Sequence, residues 1–270
     1  MRPEQDERIG TPTPTTSEVR AFWERNPVAS ASIASPPGSL DYFEAFDRLR
    51  LQVEPTWVQD EIYAFDRSLD GRTLDVGCGN GYVLRKYALC GAHAYGVDLT
   101  HAAVSLSRER FTLAGLKGTF VQADAEHLPF RDGAFARVVS VGVLHHVPSI
   151  ESAIAEVYRV LAPGGKLVLM LYHRNSLHYR LLYPIYGALH PRFRGHRPSD
   201  VARRIDGSDN PIGRTFSRRE VRRLLEGFRS VELLVRSLPI RPVLRAPGGA
   251  FLLDLLSRCV GWFLYARAVK

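Results

Sequence analysis

Between Arg72 and Tyr172 the chain alternates short, densely apolar runs with longer stretches in which apolar side chains recur every third or fourth residue. The runs RTLDVG, AHAYGVDL, GTFVQAD, ARVVSVG and GKLVLMLY have the length and β-branched content of buried strands. Between them, residues 82–90, 100–114 and 149–161 carry helical spacing and end on stop signals: Gly91, Gly115 and Pro163-Gly164-Gly165. Strands alternating with helices predict parallel βαβ units, hence an α/β fold with an open sheet covered by helices on both faces.

The flanks read differently. Residues 1–20 mix charges with Pro and Thr and lack the apolar stretch of a signal peptide, so they predict a loose arm. Residues 19–66 then read as helical pieces interrupted by ASIASPPGS, and Asp70-Gly71 as a turn. After Tyr172 the alternation is broken by about 45 residues rich in Arg, His, Tyr and Pro, longer than an ordinary connection and so expected to be a functional insert. Ser217 and Glu220 have capping-box spacing, with Val221, Leu224, Leu225 and Phe228 on one helical face and arginines on the other. RSVELLVRSL and GWFLYARAVK supply two last strands. The expected organisation is an arm and helical cap (1–70), a core (71–172), an insert or lid (173–215), and a C-terminal helix with two strands completing the sheet (216–270).

Composition adjusts this picture modestly. The 270 residues carry a net charge of +8, which raises the prior for an anionic partner. The charge is unevenly spread: residues 1–70 hold 7 basic and 13 acidic side chains, residues 71–171 hold 10 and 8, and residues 172–270 hold 19 and 7. Cys78, Cys90 and Cys259 form no CxxC pair, and their odd number argues against a disulfide framework and for a reducing, cytoplasmic setting. The apolar stretch at 251–265 is broken by Asp254 and Arg258 and falls short of the roughly 20 residues of a membrane span.

The chemistry concentrates at the strand ends. Leu74-Asp75-Val76-Gly77-Cys78-Gly79-Asn80-Gly81-Tyr82 joins the first strand to the first helix, and its glycines let a ligand approach the backbone closely. Tyr82 stands where GxGxxG would have its third glycine, so the turn suits a dinucleotide pyrophosphate poorly. Asp98, ending the second strand, is placed to accept from ribose hydroxyls, with a helix N-cap as its plainer role. Asp124, ending the third strand in ADAEHLPF, can accept from an exocyclic amino group.

The series LDVGCGNG, YGVDL, ADAEHLPF, VVSVGVLHHVP and YRVLAPGGKLVLMLY resembles the class I S-adenosylmethionine-dependent methyltransferases of the quinone and natural-product group. FWERNP, GSLDYF and DGSDNPIGRTFS resemble a subgroup pattern less specifically. The resemblance implies a Rossmann-like seven-stranded sheet, mostly parallel with an antiparallel last strand, and S-adenosyl-L-methionine as cofactor. It implies that Gly77, Gly79 and Gly81 line the cofactor, Asp98 with the adjoining Leu99 holds the ribose, and Asp124 with Ala125 reads the adenine. Asp75 would position the methionine end, and the chain from Ser140 would pass beneath it.

Methyl transfer from a sulfonium needs alignment, exclusion of water and, for a hydroxyl or carbon acceptor, a base. His145, His146, Tyr172 and His173 are the candidates, and no metal is expected. The plainer role of the LHH histidines is to shape the pocket. His127, His178, His190 and His196 read as loop or surface residues. The run from Leu177 to Tyr186 is either a lid or a helix packed on the sheet edge. Phe22, Trp23, Tyr42 and Phe43 either face the sulfonium or anchor the cap helices. The arginines of the insert can clamp an anionic acceptor, while Arg218, Arg219, Arg222 and Arg223 read as a solvated helix face.

The expected partner is a small-molecule acceptor, anionic or aromatic, such as a natural product, quinone-like compound or sugar. Three readings compete with it. A nucleic-acid methyltransferase is motivated by the basic tail, but no NPPY-like motif, Pro-Cys nucleophile or readout module accompanies it. A nicotinamide oxidoreductase is disfavoured by Tyr82 and Asp124. A non-catalytic cofactor-binding protein stays open. Nothing in the sequence addresses the oligomeric state.

Overall fold

The computed structural model describes residues 13–65, 71–238 and 249–270. Residues 1–12 of the expected arm and Asp70 of the expected turn lie outside them. Eight strands form one sheet: β1 (Arg72–Val76), β2 (His93–Asp98), β3 (Gly118–Gln122), β4 (Phe135–Val141), β5 (Leu161–His173), β6 (Thr215–Phe216), β7 (Ser230–Arg236) and β8 (Phe263–Val269). Seven of them run in the order β3-β2-β1-β4-β5-β8-β7. The first five strands pair in parallel, and β8 is antiparallel to both β5 and β7. Strand order reverses between β1 and β4, and the crevice beyond their carboxyl ends is where such sheets bind ligands.

Two features depart from the expectation. The eighth strand, β6, pairs Thr215 and Phe216 with Tyr172 and His173, which pulls the end of the insert over the carboxyl end of β5. Two residues are too few to show a period. The Pro163-Gly164-Gly165 turn lies inside β5 instead of preceding it: Leu161 already pairs with Phe135, and the register slips before Arg137 meets Lys166. Gly164, at φ +74°, supplies the left-handed residue of that irregularity.

Helices α4 (Tyr82–Leu89), α5 (His101–Leu113) and α6 (Ile150–Val160) fall on the expected stretches. Thr100 caps α5 by accepting from the Ala103 N–H, and the Ser217/Glu220 capping box opens α9 (Arg218–Leu224). The apolar face of α6 (Ile150, Ile154, Val157) joins Leu167, Leu169, Val221 and Leu225 in the core on one side of the sheet. The other side is covered by the cap helices α2 (Leu40–Val53) and α3 (Thr56–Tyr63) and by the insert helices α7 (Tyr183–Leu189) and α8 (Pro198–Arg204). The late apolar stretch contributes α10 (Gly249–Val260), which leads into β8. Among the described residues no helix is long and apolar enough to cross a membrane.

The cap is pinned to the sheet by a buried polar knot that periodicity cannot reveal. The Glu54 carboxylate is fully buried and accepts from Arg50 Nη2 at 2.8 Å, from the Tyr63 hydroxyl at 3.1 Å and from the Tyr265 hydroxyl of β8. A charge so far from water survives only because each oxygen has charged or hydroxyl donors.

Candidate active site

The glycine turn follows directly from the end of β1. Gly77, Gly79 and Gly81 all have positive φ (+78°, +55° and +76°), so L side chains there would strain the backbone. A Cβ on Gly77 would run into the Val143 side chain, so the turn and the loop after β4 approach each other as closely as glycine allows. Asp98, at the end of β2, accepts from the Gly79 N–H at 3.1 Å, from the Thr100 N–H at 3.0 Å and from its hydroxyl at 2.9 Å. A carboxylate has about four lone-pair sites, so acceptor capacity remains. Burial lifts its pKa above the ordinary carboxylate range, against the pull of these three donors. Asp75 lies buried behind the turn, and burial together with the Asp98 charge pushes it up further.

The end of β3 is open by comparison. Asp124 Oδ1 accepts from the Glu126 N–H at 2.9 Å, and Asp124 Oδ2 lies 3.9 Å from His127 Nδ1. The Leu99 carbonyl accepts from Gln122 Nε2 at 3.0 Å. Ala125 is buried against the core beneath this loop. A roof crosses the turn: Val28 stands 3.5 Å from where a Gly79 Cβ would be. The preceding helix α1 (Thr16–Arg25) anchors Glu24 on the N-terminus of α5, where its carboxylate accepts from the His101 and Ala102 N–H groups, each at 3.0 Å.

Beyond β4 the chain turns sharply, placing Leu144-His145-His146 on one 3-10 turn under the roof. His146 Nδ1 lies 2.5 Å from the Ile212 carbonyl, which can only accept, so the proton sits on Nδ1 and Nε2 keeps its lone pair. That nitrogen lies 3.7 Å from Asp206 Oδ2. The same carboxylate accepts from the Tyr172 hydroxyl at 3.0 and 3.1 Å. The Trp23 ring from α1 packs edge-on against His146, with centroids 5.0 Å apart. Burial pushes His146 below the ordinary imidazole value, opposed by Asp206, so the ring is neutral at pH 7. Burial lifts Asp206 and Tyr172 in turn. The arrangement is a neutral imidazole whose orientation is fixed at one nitrogen and whose protonated form would meet a carboxylate at the other. That is what a general base requires.

The candidate residues sort clearly against this geometry. His146 and Tyr172 come together. His145 touches both, its ring 4.1 Å from His146 and 4.0 Å from Tyr172, but both its nitrogens are buried without a hydrogen-bond partner and burial holds its pKa well down, which makes it a wall. His173 is set apart: alternation along β5 turns it to the face opposite Tyr172, where Nδ1 lies 3.1 Å from the Gly261 carbonyl. The Ser140 side chain is likewise spent within the fold, donating to the Val76 carbonyl at 2.8 Å and pinning β4 to β1. Of the four cap aromatics, Trp23 alone reaches the histidines. Phe22 fills the space beside Gly207, Tyr42 donates to the Val28 carbonyl at 2.7 Å, and Phe43 stacks under the Arg110 guanidinium at 4.5 Å. Asp206, absent from the expected set, sits in the DGSDNP segment, whose likeness to a subgroup pattern was its only signal. Among the described residues no cluster of His, Cys, Asp and Glu could hold a metal ion.

The glycine turn, with the Asp98 carboxylate at its side, suits a nucleoside cofactor, and comparison with known proteins names one. Residues 74–169 match the family model described as a methyltransferase domain. A ubiquinone biosynthesis O-methyltransferase of Aromatoleum aromaticum is 32% identical over 143 residues, covering 49% of this chain and 60% of that protein. A demethylmenaquinone methyltransferase of Thermus thermophilus is 38% identical over 101 residues, covering 37% and 46%. The chain thus spans about half of these curated relatives' length, 46 to 60%. A solved S-adenosylmethionine-dependent methyltransferase of Thermotoga maritima shares the fold, with 20% identity, a TM-score of 0.57 and coverage of 93% of this chain and 99% of that one. Residues 74–169 therefore carry a methyltransferase domain, and S-adenosylmethionine is the cofactor of such domains.

Proposed function

We propose that the protein transfers a methyl group from S-adenosylmethionine to an apolar small-molecule acceptor, with His146 as general base. When bound, the cofactor supplies a methyl group already activated on a sulfonium, which leaves the protein to position, desolvate and deprotonate. In this reading Gly77, Gly79 and Gly81 form the floor under the methionine end, with Asp75 behind it. Asp98 takes the ribose hydroxyls beside Leu99, and Asp124 with the Ala125 backbone takes the adenine. Ser140 acts through the strand pair it pins and touches no ligand.

The observation that carries the proposal is the cluster of His146, Asp206 and Tyr172, in which His146 stands on the loop that meets the Gly77 turn through Val143. An acceptor hydroxyl or acidic carbon lying against Nε2 would give up its proton there as the methyl group arrives. Asp206 would stabilise the imidazolium, and Trp23 would close the site to water. The aromatic walls and the named activities of the curated relatives favour a ring-bearing or lipid-like acceptor over a sugar.

The test is release of S-adenosylhomocysteine on incubation with S-adenosylmethionine and a panel of catechols, hydroquinones and polyketide phenols. Turnover of a member that is lost in His146→Ala supports the reading. Binding of S-adenosylhomocysteine with no turnover across apolar acceptors and turnover of an RNA substrate instead would overturn it.

A further inference from the structure

We infer that the helical arm of the insert, residues 178–189, and the arginine-rich turn after it dock on an anionic lipid surface. The arm is a π-helical turn (His178–Leu182) running into α7, and its two sides differ sharply. The inner side carries Tyr183, fully buried with its ring 5.2 Å from Trp262, which itself stacks on Tyr172 of the reaction cluster at 4.6 Å. The outer side presents Leu181, Ile185 and Leu189, one per four residues, at 51%, 41% and 77% exposure. Pro184 and Ala188 are exposed with them. A contiguous exposed ridge of this kind calls for a partner.

Charge says which partner. From residue 174 to 199 the sequence contains no Asp or Glu, while Arg180, Arg192, Arg194 and Arg197 are exposed beside the ridge. Two of these guanidinium groups are bonded to neutral oxygens: Arg180 to the Asn175 side chain at 2.8 Å and Arg192 to the Arg204 carbonyl at 3.2 Å. An apolar ridge with a cationic rim is the pattern of a segment lying in the plane of a bilayer, the ridge among acyl chains and the arginines among phosphates. A second copy would set this basic surface against itself, and a nucleic acid would leave the leucines without a partner. The arginines of α9 lack such a ridge: they stand opposite a buried face, interspersed with Glu220 and Glu226.

Docking is independent of the methyl-transfer reading. If that reading holds, the Tyr183–Trp262–Tyr172 ring contacts place the acceptor site directly under the docked arm, so that a lipid-soluble acceptor reaches it from the bilayer.

The experiment is flotation of the full chain with phosphatidylcholine vesicles, with and without about a quarter phosphatidylglycerol, at low and high salt. S-adenosylhomocysteine calorimetry is run in parallel. The expected result is binding to the anionic vesicles only, weakened at least about tenfold by high salt, by the variant Leu181→Ser/Ile185→Ser/Leu189→Ser, and by the separate variant Arg192→Gln/Arg194→Gln/Arg197→Gln. Both variants should keep the wild-type affinity for S-adenosylhomocysteine, so a failure of docking and a failure of the cofactor reading are separately visible. Absence of vesicle binding overturns the inference, as does binding that neither variant weakens. A dimer in sedimentation velocity that the leucine variant dissociates, or tighter binding to RNA than to vesicles, overturns it in favour of those partners.

Discussion

The two ends of the proposed site are built in opposite ways. The cofactor end is contiguous: the glycine turn, Asp98 and Asp124 stand at the ends of three neighbouring parallel strands, each within a few residues of the strand that positions it. The reaction end is assembled from afar. Trp23 comes from the cap, His146 from the loop after β4, Tyr172 from β5 and Asp206 from the insert, with Tyr172 and Asp206 separated by 34 positions and His146 and Ile212 by 66. In the proposed reading the first end binds the cofactor, for which short local motifs suffice. The second must fit one acceptor, and its geometry depends on how the insert folds back over β5.

The largest expected effect lies at the assembled end. His146→Ala should lower kcat by about 10²–10⁴-fold with little change in cofactor affinity, measured as S-adenosylhomocysteine release under cofactor saturation. Asp206→Asn should lower it less and leave a signature in the pH profile. Asp206 raises the His146 pKa against burial, so removing its charge moves the acidic limb of kcat further down in pH. An unmoved limb would mean that the carboxylate and the imidazole act separately.

At the contiguous end the sharpest perturbation is Gly77→Ala. A Cβ there meets Val143 at a positive φ, and such strain costs about 1–3 kcal/mol, read as a lower urea midpoint. The variant should lose S-adenosylhomocysteine binding while folded. Retained binding at wild-type affinity would show that the turn does not approach the ligand.

The smallest effect concerns stability and pH. Burial holds His145 and His146 below their ordinary values, so the native state resists protons that the unfolded chain accepts near pH 6.5. Stability is therefore complete above that pH and is lost below it, at up to about 1.4 kcal/mol per pH unit for each histidine. Urea unfolding at several pH values measures the slope, and His145→Phe should make it shallower.

This contrast also explains what the sequence made legible. The hydrophobic pattern located every strand of the core because each carries a short apolar run between turn and helix signals, and the capping signals of Thr100 and Ser217 work within three residues. The two-residue β6 and the Glu54 knot left no local pattern. Asp206 left only the likeness of its DGSDNP segment to a subgroup pattern, since it meets Tyr172 only once the insert has folded back to β5. The placement of His173 away from the cluster is of the same kind, since β5 has two faces and adjacent residues cannot share one.

The most direct test of the account is calorimetric titration of S-adenosylhomocysteine into the wild type, Asp98→Ala and Asp206→Asn. The wild type should bind. Asp98→Ala should lose the hydrogen bonds of a charged acceptor, about 1.5–3 kcal/mol or 10- to 150-fold in Kd. Asp206→Asn should stay within about twofold of the wild type, a margin of roughly 0.4 kcal/mol. Equal losses in the two variants, or no binding to the wild type, would contradict a cofactor end and a reaction end that are built and act separately.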